Sequence, residues 1–463
     1  MSENVMPSNW EVTKIKHISA INQKLPFEEI DDNLEVSFLP MKLVEEESNV
    51  IHLTETKKYS EVKKGFTPMT DGDVIFAKIT PCMENGKIAT VHSLKNRIAF
   101  GSTEFHVFRC YKSVVNTYLF YYLVQSKTRQ DAAQNMTGAV GQRRVPKQYL
   151  EELDIPIPPF SEQHRIVAKL EELFSELDKG VESLKTAQQQ LKVYRQAVLK
   201  WAFEGLLTQF KDKDLKWHSF KLGEVIQSID GDRGKNYPKK HEFLDAGHCL
   251  FLSTKNVRED RFVFEDNIFI SKEKDDQLRG GKLHLNDVVI TTRGTLGNVA
   301  LYDERIKFKD VRINSGMLIL RVKNQSILNN KYLMKFITSP IFYKQLKEKQ
   351  SGTAQPQIPA NVLKEIIIPV PHSIDEQNLI VSEIESRLSV CDKIEESIEH
   401  SLKQAEALRQ SILKQAFEGK LVPQDPNDEP ASVLLDRIKA EREQNQPAKK
   451  TKTSRAKKVM IPL

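Results

Sequence analysis

Two polar loops carry the side chains best suited to chemistry in this sequence. The stretch Thr137 to Arg144 (TGAVGQRR) and the stretch Ser351 to Gln357 (SGTAQPQ) stand at equivalent places, each shortly before a long helical pattern. Lys78 and Thr80 are likewise matched by Thr292, Arg293 and Thr295, in the run TTRGT that begins at Thr291. A further basic loop, GDRGK from Gly231, brings Arg233 and Lys235. Arginine can hold guanine through two hydrogen bonds, glutamine can do the same for adenine, and threonine hydroxyls or glycine amides bond phosphate. The predicted contact set for an anionic, base-bearing ligand is therefore Lys78, Thr80, Gln142, Arg143, Arg144, Arg233, Lys235, Thr292, Arg293, Thr295, Gln355 and Gln357. A surface loop accounts equally well for any one of them; the pairing of loops at equivalent sites favours the set.

Bond-making chemistry is not expected. The sequence has no GxxxxGK[ST] loop, no GxGxxG, no HExxH and no Asn/Asp-Pro-Pro-aromatic motif of amino-methyltransferases, and Gly294 to Gly297 has the wrong spacing for a nucleotide loop. Asp73 and Asp287 lead to Lys78 and Arg293 without the acid, Glu-x-Lys order of a nuclease, and His164 is matched by Asn378. A duplicated active site would appear at matching positions, and none does.

Those matches rest on a duplication. Tyr194 to Leu207 (YRQAVLKWAFEGLL) and Leu408 to Leu421 (LRQSILKQAFEGKL) share nine of 14 positions at an offset of 214. Glu162-Gln163, Ile166-Val167 and Asp178 match Glu376-Gln377, Ile380-Val381 and Asp392 at the same offset, while IPIP from Ile155 matches IPVP from Ile368 at 213. Further upstream the match is one of pattern: Trp10 to Lys14 resembles Trp217 to Lys221, and Asp73-Val74-Ile75 resembles Asp287-Val288-Val289. A period this long is no solenoid unit; each copy holds at least one domain. A shared frame with different filling is how one scaffold would carry two specificities.

The elements follow from periodicity. Strands are predicted at Asp73 to Ile79, Glu104 to Cys110, Asp287 to Thr292, Val299 to Tyr302 and Gly316 to Val322, and helices at Asn116 to Gln134, near Tyr332 to Phe336 and near Phe342 to Lys349. The fold class is α/β with mixed or antiparallel sheets. Each half then gives way to a long helix whose apolar residues advance in coiled-coil steps: Leu173, Leu177, Val181, Leu184, Leu191, Tyr194 and Val198 in one, Ile384, Cys391, Ile394, Ile398, Leu402, Ala405 and Ile412 in the other. Each starts after an Ile-Pro-x-Pro stop with an acidic first turn and ends near a glycine, Gly205 or Gly419, with Gly180 expected to disturb the first locally. Chain order predicts that the two helices pair antiparallel as one rod with a domain at either end.

The chain of 463 residues, 39% hydrophobic, is long enough for two cores. No apolar run approaches the ~18 residues that span a bilayer, and no signal pattern opens the sequence, so no membrane partner is expected and the predicted location is cytoplasmic. Cys82, Cys110, Cys249 and Cys391 have no short pair spacing and read as reduced thiols, not as metal ligands. From Pro447 to Leu463 six basic residues stand with no acid, equal to the whole formal charge of +6. That tail reads as disordered, so an anionic partner must be met by local patches elsewhere.

The repeated RQxxLKxAFEGxL block, the IPxP…EQ…IV ahead of it and the Trp-led start of each half closely resemble the specificity subunit of type I restriction-modification systems, over about residues 10 to 440. The resemblance implies two α/β target recognition domains joined by two long antiparallel coiled-coil helices in an internal two-fold pseudo-repeat. Residues 1–158 and 209–371 would be the recognition domains, 159–208 and 372–422 the helices, and 423–463 an extension with the basic tail. It implies a noncatalytic subunit that reads a bipartite, asymmetric site in double-stranded DNA, with helices acting as a ruler and docking two modification subunits, which methylate adenine. No cofactor is expected on this chain; S-adenosylmethionine, ATP and Mg would sit on the modification and the restriction/translocase subunits. Trp201 against Gln415, and Gln-Arg-Arg against Gln-Pro-Gln in the polar loops, are the small departures between halves. Two rival readings are a coiled-coil scaffold with protein-binding domains and an autonomous nuclease or methyltransferase; sequence-specific DNA binding without activity of the chain alone separates them.

Overall fold

A computed structural model of the chain describes residues 6–27, 29–207, 217–294, 296–349 and 357–444. The basic tail, and Thr295 and Gln355 of the predicted contact set, lie outside the described residues.

Each half is built around a four-stranded antiparallel sheet. In the first its order is Ser19–Ile21, Phe105–Cys110, Val74–Ala77, Ile88–Thr90; in the second it is Ile226–Asp230, Met317–Val322, Val288–Thr291, Val299–Leu301. The predicted strands are all present, one or two residues shorter at their ends. Successive side chains on a strand point to opposite faces, and both faces are covered. Val74, Phe76 and Phe108 meet helices, whereas Ile75, Ala77 and Val107 meet a second sheet. That sheet runs Glu55–Lys58, Glu35–Leu39, Ile98–Gly101, Thr67–Thr70, with one parallel pair, and its counterpart Phe269–Ile270, Cys249–Leu252, Val311–Ile313 also has one. The single helix predicted over Asn116 to Gln134 is two, Asn116–Val124 and Ser126–Gln134, because Gln125 is extended at ψ 135°.

The repeated Trp and Ile-Pro-x-Pro segments turn out to be partners. Glu11–Lys14 pairs antiparallel with Asp154–Ile157, and His218–Lys221 with Ile367–Val370, so each half ends by folding back on its own start. A proline cannot donate to a ladder, and a two-stranded ribbon accommodates it. Tyr118 Oη and Tyr332 Oη donate to the carbonyls of Pro156 and Pro369, both at 2.8 Å, which fastens each ribbon to the helix below it.

Two 44-residue helices follow, Phe160–Phe203 and Ile374–Phe417. At 1.5 Å per residue each is about 66 Å long, and the first passes through Gly180 without a break. The chain divides into two compact units: one, not contiguous, joins the residues up to Glu182 to those from Leu402 on, and the other is Ser183–Ser401. The division cuts both helices, so each unit contains half of one beside half of the other. In the first unit Arg409 lies over the Phe174 ring at 4.5 Å and pairs with Asp178, while Arg165, earlier in the chain, pairs at 2.6 Å with Asp428, later in it. In the second, Leu184 lines a groove with Ser397 and Ser401, and Arg195 reaches Asp392 and Glu395 at 2.7 and 2.9 Å. Within each unit the halves therefore run antiparallel, as predicted. The seam is narrower than its sequence pattern: Leu191, Val198, Cys391 and Ile398 are buried, but Tyr194 and Ile394 are 38% and 44% exposed. Arg195 crosses at that level, so its ion pairs take the place of an apolar layer.

The helix ends explain the repeated AFEG. Leu206 N–H donates to Trp201 O and Lys420 N–H to Gln415 O, both at 2.9 Å. That is a six-to-one closure around a left-handed glycine, Gly205 at φ +73° and Gly419 at φ +70°. Both glycines also abut an indole: a Cβ on Gly205 would stand 3.6 Å from Trp217, and one on Gly419 would stand 3.5 Å from Trp10. The phenylalanine just before plugs the domain it meets. Phe203 packs edge-on against Tyr332 and Phe336 at 5.1 and 5.3 Å, and Phe417 packs tilted against Tyr118 at 5.0 Å and edge-on against Tyr122 at 5.3 Å.

Candidate nucleic-acid interface

The paired loops meet the paired strand exits in both halves. In the first, Thr137 to Arg144 closes as a hairpin, with Arg144 N–H donating to Thr137 O at 2.8 Å and the reverse bond at 2.9 Å. Its return limb lies on the segment leaving Val74–Ala77: Val145 N–H donates to Lys78 O at 2.9 Å and Thr80 N–H to Arg143 O at 3.1 Å. In the second, Ile358 N–H donates to Thr292 O at 3.2 Å. Ile358 and Val145 are 213 apart and Thr292 and Lys78 are 214 apart, so one hydrogen bond recurs in one frame.

Arg233, Thr292, Arg293 and Gln357, distant in sequence, line a single cleft of about 240 Å³ together with Asp230. Arg293 and Lys235 are exposed and make no ion pair among the described residues. Arg233 Nη2 donates to Asp230 Oδ1 at 3.0 Å and more weakly to Ser315 O at 3.3 Å. Thr292 differs from its prediction: it is 4% exposed and its hydroxyl donates to Gly316 O at 3.0 Å, so it builds the cleft floor and is not a surface donor.

In the first half Lys78, Gln142, Arg143 and Arg144 come together around the hairpin, and Thr80 turns its hydroxyl to Met136 Sδ at 3.3 Å. Arg143 and Lys78 have no side-chain partner among the described residues. Arg144 is engaged on both edges of a carboxylate: Nε donates to Glu104 Oε2 at 2.9 Å and Nη2 to Oε1 at 2.8 Å, with Nη1 donating to Gln142 O at 3.0 Å. The hydrogen bonds from Arg144, with the nearby charge of Lys78, hold the Glu104 carboxyl below its ordinary value, and the pairing raises Arg144 in turn. Beneath them His106, 5% exposed, bonds the Val145 carbonyl through Nε2 at 2.9 Å and Asn22 through Nδ1 at 3.2 Å; burial lowers its pKa and keeps the ring neutral.

Sequence reasoning missed Glu104, which sits in the turn just before the neighbouring strand and carries no motif, and Val140, which stands 99% exposed at the hairpin tip. It also missed Lys255, Arg258 and Arg261, which line a separate cleft of about 600 Å³ in the second half. An excess of charge along 255–261 was the one signal available.

The acids that resemble catalytic groups have other duties. Asp73 and Asp287, each 1% exposed, take bidentate bonds from Arg109 (2.9 and 2.7 Å) and Arg321 (2.8 and 2.6 Å), and each caps a turn through Thr70 N–H or His284 N–H. His248, Asp275 and Asp310 converge as metal ligands would, but Lys282 Nζ fills that place at 2.6 Å from Asp275 and 2.8 Å from Asp310, with Arg312 on the other Asp275 oxygen. Charge compensation by protein cations makes this a structural network.

Known proteins carry the same frame. The model of the type I restriction modification DNA specificity domain matches residues 7–186 and 215–404, one copy per half. The specificity subunit of the type I restriction enzyme EcoAI of Escherichia coli is 26% identical over 475 residues, covering 84% of this chain and 79% of that one. That of MjaVIII of Methanocaldococcus jannaschii is 25% identical, covering 90% and 94%. A solved chain described under complex assembly and conformational transition of the type I R-M system superposes with a TM-score of 0.72 at 21% identity, covering 90% of this chain and 100% of that one. The HsdS subunit of Thermoanaerobacter tengcongensis gives 0.58 at 20%, covering 90% and 98%. Both share the fold.

Proposed function

This chain belongs to the type I restriction-modification DNA specificity family and is a noncatalytic specificity subunit with two DNA specificity domains, and we propose that its halves read the two parts of a bipartite, asymmetric double-stranded DNA site through the loop and strand-exit platforms. The observation that carries this reading is the recurring hydrogen bond, Val145 to Lys78 and Ile358 to Thr292, with different side chains set around it. One frame supplies position while Gln-Arg-Arg in one half and Gln-Pro-Gln in the other supply different readers. Arg143, Lys78, Arg293 and Lys235, which have no ion-pair partner among the described residues, suit phosphate; each phosphate they neutralise releases counterions and steepens the salt dependence of binding.

Methyl transfer and restriction belong to partners in this reading. Two modification subunits would dock on the long helices, where Val193, Val390 and Leu408 are 70%, 55% and 50% exposed on otherwise charged surfaces. S-adenosylmethionine would sit on those subunits, and ATP and Mg on restriction/translocase subunits joining them. No described helix is long and apolar enough to cross a membrane, and a cytoplasmic location fits a reader of chromosomal DNA. The test is co-expression with the partner modification subunit followed by methylation mapping. The expected outcome is one bipartite adenine motif with unlike half-sites; a single undivided motif, or binding to protein with no sequence-specific DNA binding, would overturn the reading.

A further inference from the structure

We propose that Glu104 is a positioning residue for sequence reading: it fixes Arg144 so that the remaining donors of the guanidinium select a guanine in the half-site met by the first domain. This rests on the DNA-reading function above. A guanidinium has five N–H donors. Glu104 takes two of Arg144's and the Gln142 carbonyl takes one, leaving one donor on Nη1 and one on Nη2. Two parallel donors at that spacing match O6 and N7 of guanine in the major groove. The pair is placed to offer them, since Glu104 is 25% and Arg144 is 42% exposed at the side chain.

Reading a base demands more of an arginine than touching a phosphate does. A phosphate accepts a cation from many directions, whereas guanine is distinguished from adenine only when both donors arrive in plane. A free arginine would lose its rotamer entropy on binding; one already held by a carboxylate has lost it on folding. The backbone is held as well, by both hydrogen bonds to Thr137, by Val145 on Lys78 and by His106 on the Val145 carbonyl. Arg143, its neighbour in the chain, is held at its carbonyl by Thr80 N–H, but its side chain has no partner among the described residues and is exposed, as a phosphate contact requires.

The second half supplies an independent argument. Lys78 N–H donates to Glu104 O at 2.9 Å, and Thr292 N–H donates to Gly316 O at 2.8 Å, which puts Gly316 in the place of Glu104. Gln357 is in the place of Arg144, one residue before Ile358 as Arg144 is before Val145. The acid is present where the reader is arginine and gone where it is glutamine, a side chain an acid would not orient in this way.

The test uses the full chain co-expressed with its modification subunits and reads the methylated motif. Wild type must first give a bipartite motif; its absence would sink the functional reading and not this proposal. Glu104→Gln keeps the shape and removes the charge. The expected result is relaxation at one G·C position of one half-site, with discrimination falling by about 5- to 150-fold, while the other half-site and the melting temperature stay as in wild type. Glu104→Asp should restore part of the preference. Arg144→Lys, which keeps the charge but not the fork, should relax the same position, and Glu104→Asp carries the test of the acid if Glu104→Gln does not fold. An unchanged motif in the Glu104 variants or in Arg144→Lys, or equal weakening at every position, overturns the proposal.

Discussion

Glu162 is the residue whose chemistry is least comfortable. It is fully buried, Oε1 accepts from Trp10 Nε1 at 3.1 Å and from Gln424 Nε2 at 2.6 Å, and Oε2 has no partner among the described residues. Burial raises its carboxyl above the ordinary value, and the two hydrogen bonds offset this only in part. A carboxyl with a raised folded pKa binds its proton more tightly in the folded chain, so its contribution to stability grows as pH falls from neutral through that pKa and levels off below the unfolded value of about 4.3. Thermal melts of wild type and Glu162→Gln should show the wild type gaining on the variant as pH is lowered from neutral to about 5; a constant difference would mean the group does not titrate in that window. At this scale the sequence was a fair guide to position and a poor one to role. The Trp10 and Glu162 repeat was visible as Trp217 and Glu376, and the second pair is indeed bonded, at 2.9 Å. Thr292 was misjudged as a donor because nothing in TTRGT reveals which hydroxyl turns inward, and Glu104 was overlooked because an ion pair formed across 40 residues leaves no local pattern.

The long helices contribute packing at their ends as much as length between them. Phe203 is 3% exposed in the second unit's core, so Phe203→Ala should cost about 3–5 kcal/mol there. The first unit keeps its own plug, Phe417, in a different core. Two melting transitions are therefore expected in the variant, one lowered and one at the wild-type position, by calorimetry; a single transition shifted as a whole would show the units to be one cooperative body. Heptad spacing was enough to find these helices, and chain order gave their opposite sense. The heptad pattern misplaced Tyr194 and Ile394 because a periodic pattern assigns every seam position to the core, while Arg195 and its two acids occupy one layer electrostatically. Contacts, for their part, divide the chain through the middle of each helix, a grouping across distant sequence that no local pattern announces.

For the molecule as a whole, duplication predicts modular specificity. Replacing Trp10 to Pro156 by the equivalent region of a relative should change one half of the methylated motif and leave the other as it was, because each half keeps its own sheets and its own loop platform. Coordinated change in both half-sites would contradict this. A last consequence follows from the glycine and tryptophan junctions. The end of the first helix meets the second domain through Gly205 and Trp217, and the end of the second meets the first domain through Gly419 and Trp10. Each domain is thus bounded on both sides by helix, by the one its own chain runs into and by the end of the other, and the two junctions are built alike, glycine against indole.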